Sequence, residues 1–393
     1  MNEVYILSYA RTPFGSFGSK LSGFSAPQLG SIAIKAAIER GGIEGSQINE
    51  VFMGNVLTAN LGQAPARQAA LGADIPNSVP CTTINKVCSS GMKSIMIGAQ
   101  SIMTGQNDIV IAGGMESMSN IPYYLDKARF GYKYGGGELI DGLVRDGLSD
   151  AYDHNAMGVS SDLTAEKLNI SRQEQDRFAI QSYKRSAEAT EKGYLAEEIS
   201  PVEIPQRKGD PVIMNEDEEF RKVIYEKVTS LRPAFSKDGS ATAANSSTIN
   251  DGAAAVVLIS GSKLNELGLK PLAKILSFAD TAQEPKWFTT TPPSAARNAI
   301  KKAGLTISDI DFFEVNEAFS LVTLAFIQSL KLDESKVNVF GGAVSLGHPI
   351  GVSGTRITGT LANILKLKHG KYGCAAICNG GGGASSIVLE KVE

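Results

Sequence analysis

The chain has 393 residues, 42% of them hydrophobic and 20% charged, which suits two ordinary domains or one duplicated core with an insertion, and excludes a disordered chain. Its 38 basic residues stand against 41 acidic ones, a net charge of −3, so there is no broad electrostatic drive towards nucleic acid. Four cysteines and three histidines are too few for a disulfide scaffold, and the gaps Cys81-x6-Cys88 and Cys374-x3-Cys378 are not those of a zinc site.

In chain order, Met1 to Leu7 reads as a first strand rather than a leader, and Leu389 to Glu393 carries no peroxisomal address. No apolar run is long enough to span a membrane. Free thiols without an address lead to the expectation of a cytoplasmic protein. Next comes a helix around Ala33 to Ile38, a glycine turn at Gly41-Gly42, and a strand from Ile48 to Asn55. Cys88-Ser89-Ser90-Gly91 opens a helix running to about Thr104, and Asp108 to Gly114 is a strand. The segment from about 119 to 248 is rich in Tyr, Gly and charge. It holds two or three short helices, one opened by the capping box Ser171-Arg172-Gln173-Glu174. After it, Asp251 to Leu258 is a strand.

The pattern then returns. Ala295 to Ile300, Ala303-Gly304, and Ile310 to Asn316 repeat helix, turn and strand. Gly351-Val352-Ser353-Gly354 opens a helix to about Leu367, Cys374 to Gly380 is a strand, and Gly383 to Leu389 echoes Asp251 to Leu258. Two copies of one α/β unit, with buried strands between amphipathic helices, are therefore expected. The first half takes 1–118 and 249–268 and the second 269–393. The segment 119–248 has no counterpart and is read as an insertion over the active site.

Three short runs carry the chemistry. Cys88 stands at a helix start, where free N–H groups and the dipole would favour a thiolate. Cys378 ends a strand and opens the run Gly380 to Gly383, whose N–H groups could face an oxyanion. His348 lies in a glycine-dense loop, Gly341 to Pro349. Two thiols and an imidazole form a set for acyl transfer with carbon–carbon bond chemistry. Asn316, at a strand end, would hold a water or an oxyanion, or cap a helix. Cys81 and Cys374 read as packing, His369 as solvated, and His154 as near the site or merely in the insertion.

Over its whole length the chain resembles the thiolase family, its biosynthetic branch in particular, including the cytosolic enzymes of fungal sterol synthesis. The resemblance rests on Asn85 to Met92, Gly113 to Met118, Asn250 to Ala254, Asn316 to Phe319, Gly341 to Pro349, and Cys378 to Gly383. It implies five layers, α-β-α-β-α, made of two duplicated halves with an inserted loop domain. It also implies reversible Claisen condensation of two acetyl-CoA to acetoacetyl-CoA and CoA, the first step towards mevalonate and ergosterol. Cys88 would be acylated, His348 would activate it, and Cys378 would be the acid/base. Asn316 would hold a water for the enolate site, and the N–H groups of Cys88 and Gly380 would form the second oxyanion site. Coenzyme A would meet Met157, Arg221, Phe235, Ala243, Ser247, Phe288, Ala318 and Phe319. The residue before Met157-Gly158 is Ala156 where many bacterial relatives have His, and Arg221 stands in a shifted place. No cofactor is required by the chemistry. Tyr183, Ala243, Ala244, Ser246 and Val344 fall where potassium-activated members hold their ion. A homotetramer built as a dimer of dimers is implied. The rival within the family is a degradative 3-ketoacyl-CoA thiolase of fatty-acid β-oxidation.

Overall fold

The computed structural model describes residues 2–392. Met1 and Glu393, included in the expected first strand and last segment, lie outside the described residues. The first half runs β1 (Val4–Arg11), α1 (Ala26–Gly41), β2 (Glu50–Gly54), α2 (Pro65–Gly72), β3 (Cys81–Ile84), α3 (Ser90–Met103) and β4 (Ile109–Ser117). The insertion carries α4 (Met157–Leu168) and α5 (Arg172–Glu191), and the half closes with β5 (Asn250–Ser260). The second half runs β6 (Ala273–Ala282), α6 (Pro292–Lys302), β7 (Phe312–Val315), α7 (Ser320–Leu330), α8 (Ser353–Leu367), β8 (Tyr372–Asn379) and β9 (Gly383–Lys391).

Strand order is β3-β2-β4-β5-β1 in the first half and β6-β9-β8-β7 in the second. The halves join where β1 meets β6, through only Tyr5↔Lys274 and Ile6↔Ala273. The fifth strand position of the second half is reduced to a single parallel bridge, Phe313↔Val337.

The duplication reaches single side chains. β1 and β6 each carry a bulge, at Ile6/Ser8 and Ile275/Ser277. Beside each bulge a buried serine donates to the facing helix at 2.6 Å, Ser8 to the Ala37 carbonyl and Ser277 to that of Ala299. Asn49 accepts from the amides of Asp108 and Ile109, as Asp311 does from those of Lys371 and Tyr372. These polar ties fix register where one residue of slip would turn a buried strand face outward.

Three apolar clusters define five layers. Helices α1 and α2 pack their alanine-rich faces on the outer side of the first sheet. The middle layer is α3 and α8, touching both sheets through Ile95, Met96, Leu361 and Leu365. Helices α6 and α7 cover the second sheet through Ala296, Ile300, Val322 and Phe326. The helices of the middle layer thus begin between the sheets, and the segments carrying Cys88 and His348 lead into them.

The insertion is more regular than expected. The Ser171–Glu174 capping box opens a helix of 20 residues, because Phe178, Ala179, Tyr183 and Ser186 recur along one buried face. No helix among the described residues is long and apolar enough to cross a membrane.

Candidate active site

A cavity of about 920 Å³ opens where the two halves meet the insertion. Cys88, His348, Cys378 and Gly380 line it, together with Met157, Phe235, Ser246, Ser247, Phe288, Ala318 and Phe319. The insertion contributes the wall from Val144 to Tyr152 and the edge Ala156–Gly158. Phe235 and Phe319 meet edge to face, with centroids 5.9 Å apart.

Cys88 precedes the first turn of α3 and follows Val87, which stands at a φ of 47°. A β-branched residue there is strained. Two side chains hold the turn: Asn85 Oδ1 accepts from the Val87 amide at 3.0 Å, and Ser90 Oγ donates to the Val87 carbonyl at 2.6 Å. The Ser90 hydroxyl oxygen also accepts from the Lys86 amide. The backbone N–H groups of Gly380 and Cys88 face the Cys88 sulfur.

Backbone N–H groups do favour the Cys88 thiolate, as expected, but burial outweighs them. Part of Cys88 borders the cavity, but burial pushes its thiol up to about 12, and those two N–H donors only reduce the rise. Burial and the nearby Cys88 push the Cys378 thiol up as well. Both sulfurs rest protonated at neutral pH, so a base must act during attack. Ser89 ties the two segments by donating to Asn379 Oδ1 at 3.0 Å.

His348 brings an imidazole to the cavity. Burial, helped by the positive Arg356, pushes its ring down to about 3, so it rests neutral. Its Nδ1 lies 2.6 Å from Ser353 Oγ, which donates its own proton to the Pro349 carbonyl at 3.2 Å. The Ser353 oxygen therefore accepts from Nδ1–H, and Nε2 is left unprotonated. Nε2 faces the Asn316 side-chain amide nitrogen at 3.5 Å. Asn316 does not cap a helix; Phe319 holds that position before α7. The Asn316 Oδ1 is buried with no partner among the described residues, which fits an acceptor reserved for a small donor.

Other expectations fare differently. Arg221 does not line the cavity; its guanidinium pairs with Glu216 and leans on the Phe220 ring. Ala243 is exposed and lies off the cavity wall, as does His154. His369 is exposed, and Cys374 is buried beside Ser386. Around the expected ion, Tyr183 and Val344 share one buried cluster. Helix α5 links them to the loop of Ala243, Ala244 and Ser246: Asp176 accepts from Asn245 at 2.9 Å, and Ser182 bonds Ser345 at 2.9 Å. Ser246 Oγ is buried without a partner among the described residues. Neutral hydroxyl and carbonyl oxygens of this kind suit a hard cation. Ser353 and Asn250 escaped the sequence reading as site residues. The signal for Ser353 was its place five residues after His348, in the first turn of the next helix.

The N-terminal thiolase domain matches residues 4–262 and the C-terminal thiolase domain residues 269–391. The chain belongs to the thiolase family. As a member it is an acyltransferase. It is 56% identical to an acetyl-CoA acetyltransferase of Schizosaccharomyces pombe, over 99% of each chain. A cytosolic acetyl-CoA acetyltransferase of Gibberella zeae is 52% identical over 99% of this chain and 98% of its own length, and a mitochondrial one of Xenopus tropicalis is 53% identical over 100% and 93%. The crystal structure of the Acat5 thiolase of Ascaris suum with coenzyme A superposes with a TM-score of 0.94 at 47% identity, over 99% of this chain and 100% of that one.

Proposed function

We propose that this thiolase reversibly condenses two acetyl-CoA molecules to acetoacetyl-CoA and CoA through acetyl-Cys88. The observation that carries the reading is the meeting of two thiols with an imidazole whose unprotonated Nε2 faces Asn316, in one cavity.

His348 Nε2 takes the Cys88 proton as the sulfur attacks the first thioester carbonyl. The oxyanion faces the N–H groups of Cys88 and Gly380. Collapse breaks the carbon–sulfur bond to CoA, and the departing CoA sulfur takes the Cys378 proton. That leaves acetyl-Cys88, an imidazolium and a Cys378 thiolate. The thiolate removes an α-proton from the second acetyl-CoA. The enolate oxygen is met by the imidazolium Nε2–H and by a water held at Asn316 Oδ1. Carbon–carbon bond formation expels the Cys88 sulfur, which regains its proton from His348. Charge and protons return to the starting state. Both oxyanion sites act on charge that exists only during reaction, which makes them catalytic rather than merely adhesive. Met157, Phe235, Ser247, Phe288, Ala318 and Phe319 hold the pantetheine and acyl parts.

Intact mass spectrometry after acetyl-CoA tests the reading: one acetyl group on Cys88 is expected, and none in Cys88→Ser. Acetyl on another residue, with turnover retained by Cys88→Ser, would remove Cys88 as the nucleophile.

We assign potassium to Tyr183, Val344 and the Ala243–Ser246 loop, where it would stiffen the wall beside Ser246 and Ser247. Higher activity or melting temperature in potassium than in sodium is expected; equality in both salts refutes it. The likeness to a cytosolic fungal relative supports a cytoplasmic place at the head of the mevalonate route to sterols. Cell fractionation tests it, since mitochondrial relatives are equally similar. The exposed side chains of Phe130, Tyr134 and Leu139 support association between subunits, and the resemblance sets its expected form as a homotetramer, which light scattering would measure.

A further inference from the structure

His348 stands on a loop, and three fully buried side chains catch that loop by its backbone. The Val344 amide donates to Glu317 Oε2 at 3.1 Å, the His348 amide to Asn250 Oδ1 at 2.9 Å, and the Gly351 amide to Glu116 Oε2 at 2.9 Å. Glu317 belongs to the same half as the loop. Glu116 comes from β4, in the other half.

Glu116 also gathers the cavity wall of its own half. Its Oε1 accepts from Asn55 Nδ2 at 2.7 Å and from the Leu57 amide at 3.1 Å, and its Oε2 accepts from the Val56 amide at 3.0 Å. Val56, Leu57 and Ile350 all line the cavity. One carboxylate therefore holds two walls of the site together.

The opposite side of the same segment is locked by shape. The Gly351 carbonyl lies against Gly54, Gly91 and Gly114. A Cβ at Gly54 or Gly91 would come within 2.9 Å of that oxygen, and one at Gly114 would come closer still. Gly91 is three residues after Cys88, and Gly351 three after His348. The peptides flanking Gly351 are thus where the nucleophile's turn and the base's loop are keyed to each other.

We propose that Glu116 is a positioning residue that sets the placement of His348 relative to Cys88 across the boundary between the halves. The proposal rests on the reading of His348 as the base for Cys88. Glu116 lies off the cavity wall and acts through Gly351.

Glu116→Gln keeps the size but turns one acceptor oxygen into an NH2 facing two donors, so either the bonds from Asn55 and Leu57 or those from Val56 and Gly351 are lost, and in both cases one cavity wall comes loose from the other. A shift of about 1 Å in a catalytic group lowers turnover by roughly 100-fold. At about pH 8.5, where Glu116 is ionised, the expected result is a 10- to 100-fold lower kcat for thiolysis of acetoacetyl-CoA, with KM within twofold. Glu198→Gln is the structural control: that buried carboxylate pairs with Arg11, Thr360 and Asn363, outside the loop. It should lower the melting temperature and leave kcat within twofold. A Glu116→Gln kcat within twofold of wild type, or a kcat loss in Glu198→Gln of the same size, overturns the proposal. His348→Ala separates this from the underlying reading: retained activity there removes His348 as the base, whereas loss there with normal Glu116→Gln overturns the positioning role alone. Should Glu116→Gln not fold, amide exchange in the wild-type enzyme decides. Protection of the Gly351 amide at the level of the core strands supports the tie, and rapid exchange overturns it.

Discussion

Ser353→Ala isolates what the imidazole needs in order to act as a base. Ser353 is fully buried in the first turn of α8, and its Oγ sits 2.6 Å from His348 Nδ1. In the resting enzyme this is a bond from a neutral ring. When Nε2 takes the Cys88 proton, the ring becomes an imidazolium and Nδ1–H donates with a full positive charge behind it. A hydrogen bond to a charged group contributes about 1.5–3 kcal/mol, against about 1 kcal/mol for a neutral one. Alanine removes the acceptor. It also removes the neutral bond of the resting state, so the difference, about 0.5–2 kcal/mol, sets the loss, roughly 2- to 30-fold at 1.36 kcal/mol per tenfold in rate. It falls on the transition state, so kcat should drop with little change in KM. The loss of the bond also frees the ring to place its proton on Nε2, which deepens the effect. The assay is single-turnover acetylation of Cys88 followed by quenched mass spectrometry, alongside steady-state thiolysis. Ser353→Thr, which keeps the hydroxyl, should recover part of the acetylation rate. A Ser353→Ala enzyme acetylated at the wild-type rate would refute the reasoning and with it the assignment of Nε2 as the acceptor.

Three further outcomes are expected. Cys378→Ala should still become acetylated at Cys88 yet fail to exchange deuterium at the α-carbon of acetyl-CoA; exchange at the wild-type rate would mean that another base works there. Chain-length selectivity should be strict, because Phe235, Phe288, Phe319 and Met157 crowd the cavity: acetoacetyl-CoA should be cleaved fast and 3-ketooctanoyl-CoA hardly at all, and comparable rates would move the enzyme to the degradative class. Burial pushes Glu116 up to about 7 from an ordinary 4.5, so between these values the folded state holds a proton that the unfolded state has released. Stability linked to that proton is complete below about pH 4.5 and is lost as pH rises through 7. Unfolding at pH 6 in weak buffer should release about one proton fewer in Glu116→Gln than in wild type, and equal release in both would place the Glu116 carboxyl in the ordinary range.

The sequence by itself determined the repeat, the strand and helix order, and the three short runs that carry sulfur and imidazole. These are legible because they are local. Hydrophobic period, turn glycines and caps such as Ser171–Glu174 act within a few residues, and a duplicated unit announces itself twice. Membership of the thiolase family was legible for the same reason, since Asn85 to Met92 and Cys378 to Gly383 are contiguous. Tertiary structure alone decided the state of the site. Whether Cys88 is a thiolate depends on how much water reaches it, and packing of the middle layer outweighs two N–H donors. The tautomer of His348 is set by Ser353 and Pro349, and the position of its loop by Glu116, Asn250 and Glu317, each far away in the chain or on another element. Arg221 shows the limit in the other direction: a residue at nearly the expected place in the sequence found Glu216 instead of the cavity. Side-chain partners at long sequence distance leave no local trace, because it is folding that brings them within a hydrogen bond of each other.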